Sequence, residues 1–150
     1  MSLDYEQLLA DPGEAGIFAR PEDVAALDAA AERAGLTRWT VDLAGVKTKE
    51  QLLATLAERL ALPEWFGNNW DALNDVLGEL AWEQPQGVVL TLAHCGDLAH
   101  ADPEAFETAL EVLDSVAEGC YDEDIPFWVF VDGIDAEAFD LPVLGENGDA

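Results

Sequence analysis

The residue types most able to do chemistry are concentrated in one stretch, LPEWFGNNWDALNDVLGEL, at 62–80. Asp71 and Asp75 stand four residues apart in what reads as a single helix. Their carboxylates therefore share a face and repel each other, by roughly 0.2–0.5 kcal/mol. Such a pair can serve as general acid and base, can present negative charge to a basic partner, or can simply be solvated, as charged faces commonly are. Nothing nearby supplies a nucleophile or a substrate pocket, which sets the acid–base reading aside. His94, Cys95 and His100 form a second candidate cluster, for a metal or a thiol site. Their spacing matches no strong zinc pattern, and the segment reads as a packed loop after a strand. There is no GxGxxG, P-loop, GxSxG or HExxH motif. The chain reads as a binding protein rather than an enzyme, with no cofactor and no metal.

The helix that carries the two aspartates has a clear start. Asn68 or Asn69 is the N-cap after Gly67, and Asn68 with Asp71 makes a capping-box analogue. At about 100° per residue, Trp70, Leu73, Val76, Leu77 and Leu80 gather on the core side. Asp71, Asp75, Gly78 and Glu79 fall opposite, with Asn74 at the edge. Gly78 lets another surface approach closely. Trp65 and Phe66 sit on a loop between Pro63 and Gly67; one reads as a core plug and the other as an exposed anchor.

Around this helix the pattern alternates. Leu3 to Ala10 reads as a helical turn and Ile17-Phe18 as a short strand. Pro21 opens a helix with Glu22 and Asp23 in its first turn, ended by Gly35 at C′. A strand at 39–43 follows, then a capping box at Thr48–Gln51 starts a helix over 48–61 that stops before Pro63. GVVLTL at 87–92 reads as a buried strand. Asp102-Pro103 starts a helix over 103–118 that Gly119 ends, and IPFWVFV at 125–131 is a second buried strand. Trp39, Trp82 and Trp128 read as core or strand residues. This order predicts an α/β fold with a small parallel sheet, three core strands and an N-terminal edge strand, flanked by helices. Residues 1–38 read as an extension packed on a domain at 39–133, and 134–150 as an acidic tail.

The 150 residues suffice for one domain with a real core, and half of them are hydrophobic. The charge is extreme: 32 Asp and Glu against 6 Lys and Arg, formally −26. That balance disfavours nucleic acid and anionic membrane and favours basic partners. It also suits a high-salt cytoplasm or simple solubility. Cys95 and Cys120 are no disulfide framework, and the N-terminus has no signal-peptide pattern, so a reducing cytoplasm is expected. No stretch has the roughly 18 apolar residues of a membrane span.

The run LPEWFGNNWDALNDVL at 62–77 resembles the central segment of the barstar family, intracellular inhibitors of barnase-type ribonucleases. The matching pattern is Leu-Pro-Glu, two aromatics, Gly, an Asn two on, then Asp-Ala-Leu and a second Asp four after the first. The surrounding strands and helices fit the same fold over about 39–132. The resemblance implies that the helix and its loop plug a nuclease active site. Asp75 would stand in for a substrate phosphate, Asp71 would pair with a nearby arginine, and Trp65 would pack on the catalytic histidine. Phe66, Gly67 and Asn69 match the motif beside it, and Asp114 matches a further acid on the later helix, one atom group shorter than the expected glutamate. Two positions depart from the pattern: Asn74 replaces a tryptophan and Gly78 a threonine, where contacts help set partner choice. The expected partner is a basic microbial ribonuclease, barnase-like or a delivered toxin nuclease. In the latter case the chain would act as an immunity protein. It is expected to be monomeric when free. A barstar-fold protein that no longer inhibits a nuclease is the alternative, with acid spread all round rather than focused at Asp71, Asp75 and Asp114.

Overall fold

In the computed structural model, residues 9, 16–19, 24–62, 69–84 and 86–134 are described. Their elements are β1 (Ile17–Ala19), α1 (Val24–Arg33), β2 (Thr37–Asp42), α2 (Lys49–Arg59), α3 (Trp70–Trp82), β3 (Val88–Ala93), α4 (Gly96–Ala101), α5 (Pro103–Asp122) and β4 (Phe127–Val131). The strands form one sheet in the order β1-β4-β3-β2. Every pairing is parallel, with Ile17 opposite Val129, Leu90 opposite Val129 on the other side, and Trp39 opposite Leu90.

Position in the sheet explains the sequence patterns. β3 and β4 are central and covered on both faces, so they are apolar without interruption, apart from Thr91. β2 is an edge strand and alternates instead, with Val41 buried and Arg38, Thr40 and Asp42 exposed. The alternating side chains of the central strands feed two cores. Val88, Leu90, Leu92, Phe127, Val129 and Val131 pack against residues of α2 to α5. Val89, Trp128 and Phe130 pack against Leu27, Ala30 and Ala31 of α1. Phe18, Trp128 and Phe130 gather on this second face with ring centroids 5.6–6.3 Å apart. The Trp128 indole Nε1 donates to the Leu9 carbonyl at 3.0 Å, which ties the start of the chain to the sheet.

The helix signals act where expected at most ends. Thr48 caps α2 by accepting from the Gln51 N–H at 3.1 Å, while the Gln51 amide oxygen accepts from Lys47 N–H at 2.8 Å, one residue before the cap. Asp102 caps α5 by accepting from Ala105 N–H at 3.1 Å, with Pro103 at the first helical position. Gly35, with φ 79°, closes α1: Leu36 N–H reaches Ala31 O at 3.0 Å and Gly35 N–H reaches Glu32 O at 3.1 Å.

Four expectations are corrected. Gly119 does not end α5; the helix runs on to Asp122, and its left-handed terminating residue is Asp124 (φ 59°), with Ile125 N–H bonded to Cys120 O at 2.8 Å. Residues 96–101 are a short helix, α4, rather than a packed loop. Trp82 is not a core residue but is 54% exposed at the end of α3. The strands shift by one or two residues, β2 starting at Thr37 and β4 only after Pro126, whose carbonyl accepts from Val88 N–H at 2.9 Å. Among the described residues no helix is long and apolar enough to cross a membrane.

Candidate functional site

α3 is fixed from both sides. Leu73, Val76, Leu77 and Ala81 are buried against the sheet and α5, while Trp70 and Leu80 are half-buried at the margins. Its cap is Asn69, whose side-chain oxygen accepts from Ala72 N–H at 2.8 Å. That choice places Asp71 at the second helical position; Asn68, the other capping candidate, lies outside the described residues. Asp71 complements the positive end of the helix dipole. Asp75 lies in the second turn, beyond that benefit. Lys49, at the start of α2, stands 5.5 Å from the Trp70 ring centroid and braces the first residue of α3.

Asp71, Asp75 and Glu79 are exposed along the outer face of α3, one turn apart, with Asn74 and Gly78 partly covered beside them. α5 runs alongside, and the Asn74 amide donates to Ser115 Oγ at 3.3 Å. Between the two helices lies a groove of about 450 Å³ lined by Asn74, Asp75, Gly78, Glu79, Trp82, Ser115, Val116 and Gly119. Three of the expected site residues, Asn74, Asp75 and Gly78, thus share one groove. Asp71 stands one turn before it, and Asn69 is spent on capping. Asp114 is exposed on α5 next to Ser115 but does not line the groove. Trp65, Phe66 and Gly67 lie outside the described residues.

Trp82, Ser115 and Gly119 are groove residues that the sequence did not single out. Trp82 follows Asp75 by seven positions, two helical turns, and that spacing could have placed it on the acidic side. Nothing comparable marks Ser115 or Gly119, because their place depends on how α5 packs against α3.

Acid is spread over several faces rather than focused at Asp71, Asp75 and Asp114, the distribution expected of the alternative reading: Glu32 on α1, Glu50 on α2, Asp97 on α4 and Glu107 on α5 are also exposed. Every Lys and Arg of the chain falls between residues 20 and 59. The helices α3, α4 and α5 themselves carry no Lys or Arg, and Lys49 of α2 reaches Trp70, the first residue of α3.

The His94 cluster is organised differently from a metal site. His94 Nδ1 lies 2.8 Å from Asp42 Oδ1, and His94 N–H donates to Asp132 Oδ1 at 2.6 Å. Cys95 is buried, with its thiol donating to Leu92 O at 3.3 Å. His100 is exposed on α4. Among the described residues no group of three or more His, Cys, Asp or Glu side chains could hold a metal ion. The cluster joins the C-terminal ends of β2, β3 and β4. Gly96 and Gly133 meet so closely there that a Cβ on Gly96 would stand 2.6 Å from the Gly133 carbonyl oxygen.

The four-stranded parallel sheet flanked by helices is a fold shared with known proteins. The family model described as Barstar (barnase inhibitor) matches residues 36–132. That is well over half of the chain, and the chain belongs to the barstar family. No curated protein sequence matches it. Among solved structures it is similar to the ORC2 protein of Aeropyrum pernix, described in ADPNP–ADP complexes, with TM-score 0.57 and 15% identity over 90% of this chain and 39% of that one. It is also similar to Cdc6p from Pyrobaculum aerophilum, with TM-score 0.52 and 14% identity over 89% of this chain and 36% of that one. At these identities the likeness is one of fold, and this chain spans well under half the length of either protein.

Proposed function

We propose that this protein is a non-enzymatic inhibitor of a basic microbial ribonuclease, blocking its active site with α3 and the loop before it. The observation that carries the proposal is the pairing of Asp71 and Asp75 on the exposed face of a helix whose other face is buried. A ribonuclease groove gathers Arg, Lys and His to hold phosphates. Carboxylates on a rigid helix can meet those cations without presenting a scissile bond. Family membership supports assigning Asp75 as the phosphate surrogate and Asp71 as a helper toward a neighbouring arginine, with Trp65 as the loop anchor beside Phe66 and Asp114 as a flanking acid. The formal charge of −26, with no Lys or Arg on α3 or α5, speeds encounter with such a partner, and added salt should weaken it.

The test is inhibition of RNA cleavage across a panel of small microbial ribonucleases. Wild type should inhibit at least one of them. Asp75→Ala should keep its circular dichroism spectrum and lose inhibition. Removing one partner of a buried charge pair costs roughly 3–5 kcal/mol, on the order of a hundredfold to a few thousandfold in affinity. A wild-type protein that inhibits none of the panel overturns the proposal. An Asp75→Ala protein that inhibits as well as wild type overturns the phosphate-surrogate role.

A further inference from the structure

The groove between α3 and α5 offers more than a single phosphate-mimicking acid requires. Trp82, at 54% exposure, leaves a large aromatic surface in water. Glu79 precedes it by three positions, so its carboxylate sits on the same rim. Gly78 and Gly119 line the groove from the two helices, and a Cβ built on either meets nothing within 4 Å. From Asn74 to Trp82 the groove follows about 12 Å of helix axis, enough for a long side chain lying along it. None of the eight lining residues is basic, and among the described residues no cation pairs with Asp75 or Glu79.

We infer that this groove seats one arginine side chain of the protein's basic partner, the guanidinium stacked on the Trp82 indole and paired with the Glu79 carboxylate. The inference rests on the reading of that partner as a basic nuclease and specifies how it is held beside the active site. Arginine fits for three reasons. Its plane stacks on an aromatic face, its fork of donors matches a carboxylate, and it sheds water more readily than an ammonium. An apolar side chain would strip water from Asp75 and Glu79 without pairing them. A second copy of the chain, or a nucleic acid, would bring more negative charge to a protein that carries −26. Gly78 and Gly119 then act in specificity, because any side chain there would occupy the arginine's place.

The test needs no nuclease. N-acetyl-arginine amide is titrated into the labelled full chain and followed by ¹H–¹⁵N correlation spectra, with N-acetyl-citrulline amide as the uncharged isostere. Saturable shifts are expected at the Trp82 indole and at the Gly78 and Gly119 amides, at concentrations at least tenfold below those citrulline needs. Trp82→Ala and Gly119→Leu should remove them, and Asp71→Asn should leave them. Trp82 is exposed and Gly119 faces open space, so both variants should fold. Equal response to citrulline, shifts scattered over every acidic face, or no shift at the three reporters overturns the inference. A chain that binds the arginine probe here yet inhibits no ribonuclease overturns the nuclease reading instead, so the two failures are distinguishable.

Discussion

The side-chain amide of Asn74 donates to the hydroxyl of Ser115 at 3.3 Å, joining α3 to α5 at the residue next to Asp75. This bond ties the helix that carries the proposed plug to the helix that forms the other wall of the groove. It is long and partly solvated, so it should position the helices more than it stabilises the fold.

Asn74→Ala and Ser115→Ala should therefore each lower stability by no more than about 1 kcal/mol, with a coupling energy of similar or smaller size in the double mutant. Urea unfolding of the four proteins measures this. A coupling well above that would mean the bond is a structural strut.

Gly78 and Gly119 have helical backbone without positive φ, and a methyl group at either meets open space. Alanine at each should raise stability by about 0.5–1 kcal/mol, because glycine is a poor helix former. Thermal or urea unfolding tests this directly. If the same variants weaken arginine binding while strengthening the fold, then glycine serves the groove at the fold's expense.

Gly119 also shows what the sequence could not convey. Read along the chain, a glycine after a helical run is a stop signal, but it acts as one only where the backbone turns left-handed. Here that residue is Asp124, five positions on. The central strands were legible because burial on both faces leaves an uninterrupted apolar run, as did the N-cap region of α3, although the choice between Asn68 and Asn69 needed the hydrogen bond to Ala72. α4 was missed because six residues carry too little periodicity to read. Trp82 was misread because an aromatic at a helix end looks like core unless its neighbour is known. The groove itself was illegible: Asn74 and Ser115 are 41 residues apart, and only the packing of α3 on α5 brings them together. Asp71 and Asp75, by contrast, were visible from spacing alone.

Asp42 is held below the usual carboxylate range, first by the Ala44 N–H that donates to Oδ1 at 3.0 Å and then by His94 on the same oxygen. A carboxyl with a lowered folded pKa contributes stability that is present above its unfolded value, near 3.9, and is lost as pH falls through the folded one. Asp42→Asn keeps an acceptor but loses the charge. Wild type should exceed this variant in urea midpoint at pH 7, and the gap should close as pH drops below about 4. A gap that persists unchanged at pH 2 would show that the charge plays no part.

The two thiols give the opposite limb. Burial pushes Cys95 up to about 12, with the Asp132 charge adding to it, and burial alone pushes Cys120 up to about 11. In the unfolded chain both ionise near pH 8.5. Between that value and their folded pKa the native state holds more protons than the unfolded one, so stability falls as pH rises through this window and is unaffected below it. Because tyrosines also ionise there, the informative quantity is a difference. Cys95→Ala should lose stability from pH 7 to pH 10 less steeply than wild type, and Cys120→Ala likewise. Both native thiols should also react slowly with an aromatic disulfide at pH 8 and rapidly in denaturant, since the thiolate is the reactive form and burial suppresses it. Fast labelling of the folded protein, or parallel alkaline slopes for wild type and Cys95→Ala, would show that these side chains are not sealed in the core that buries both of them.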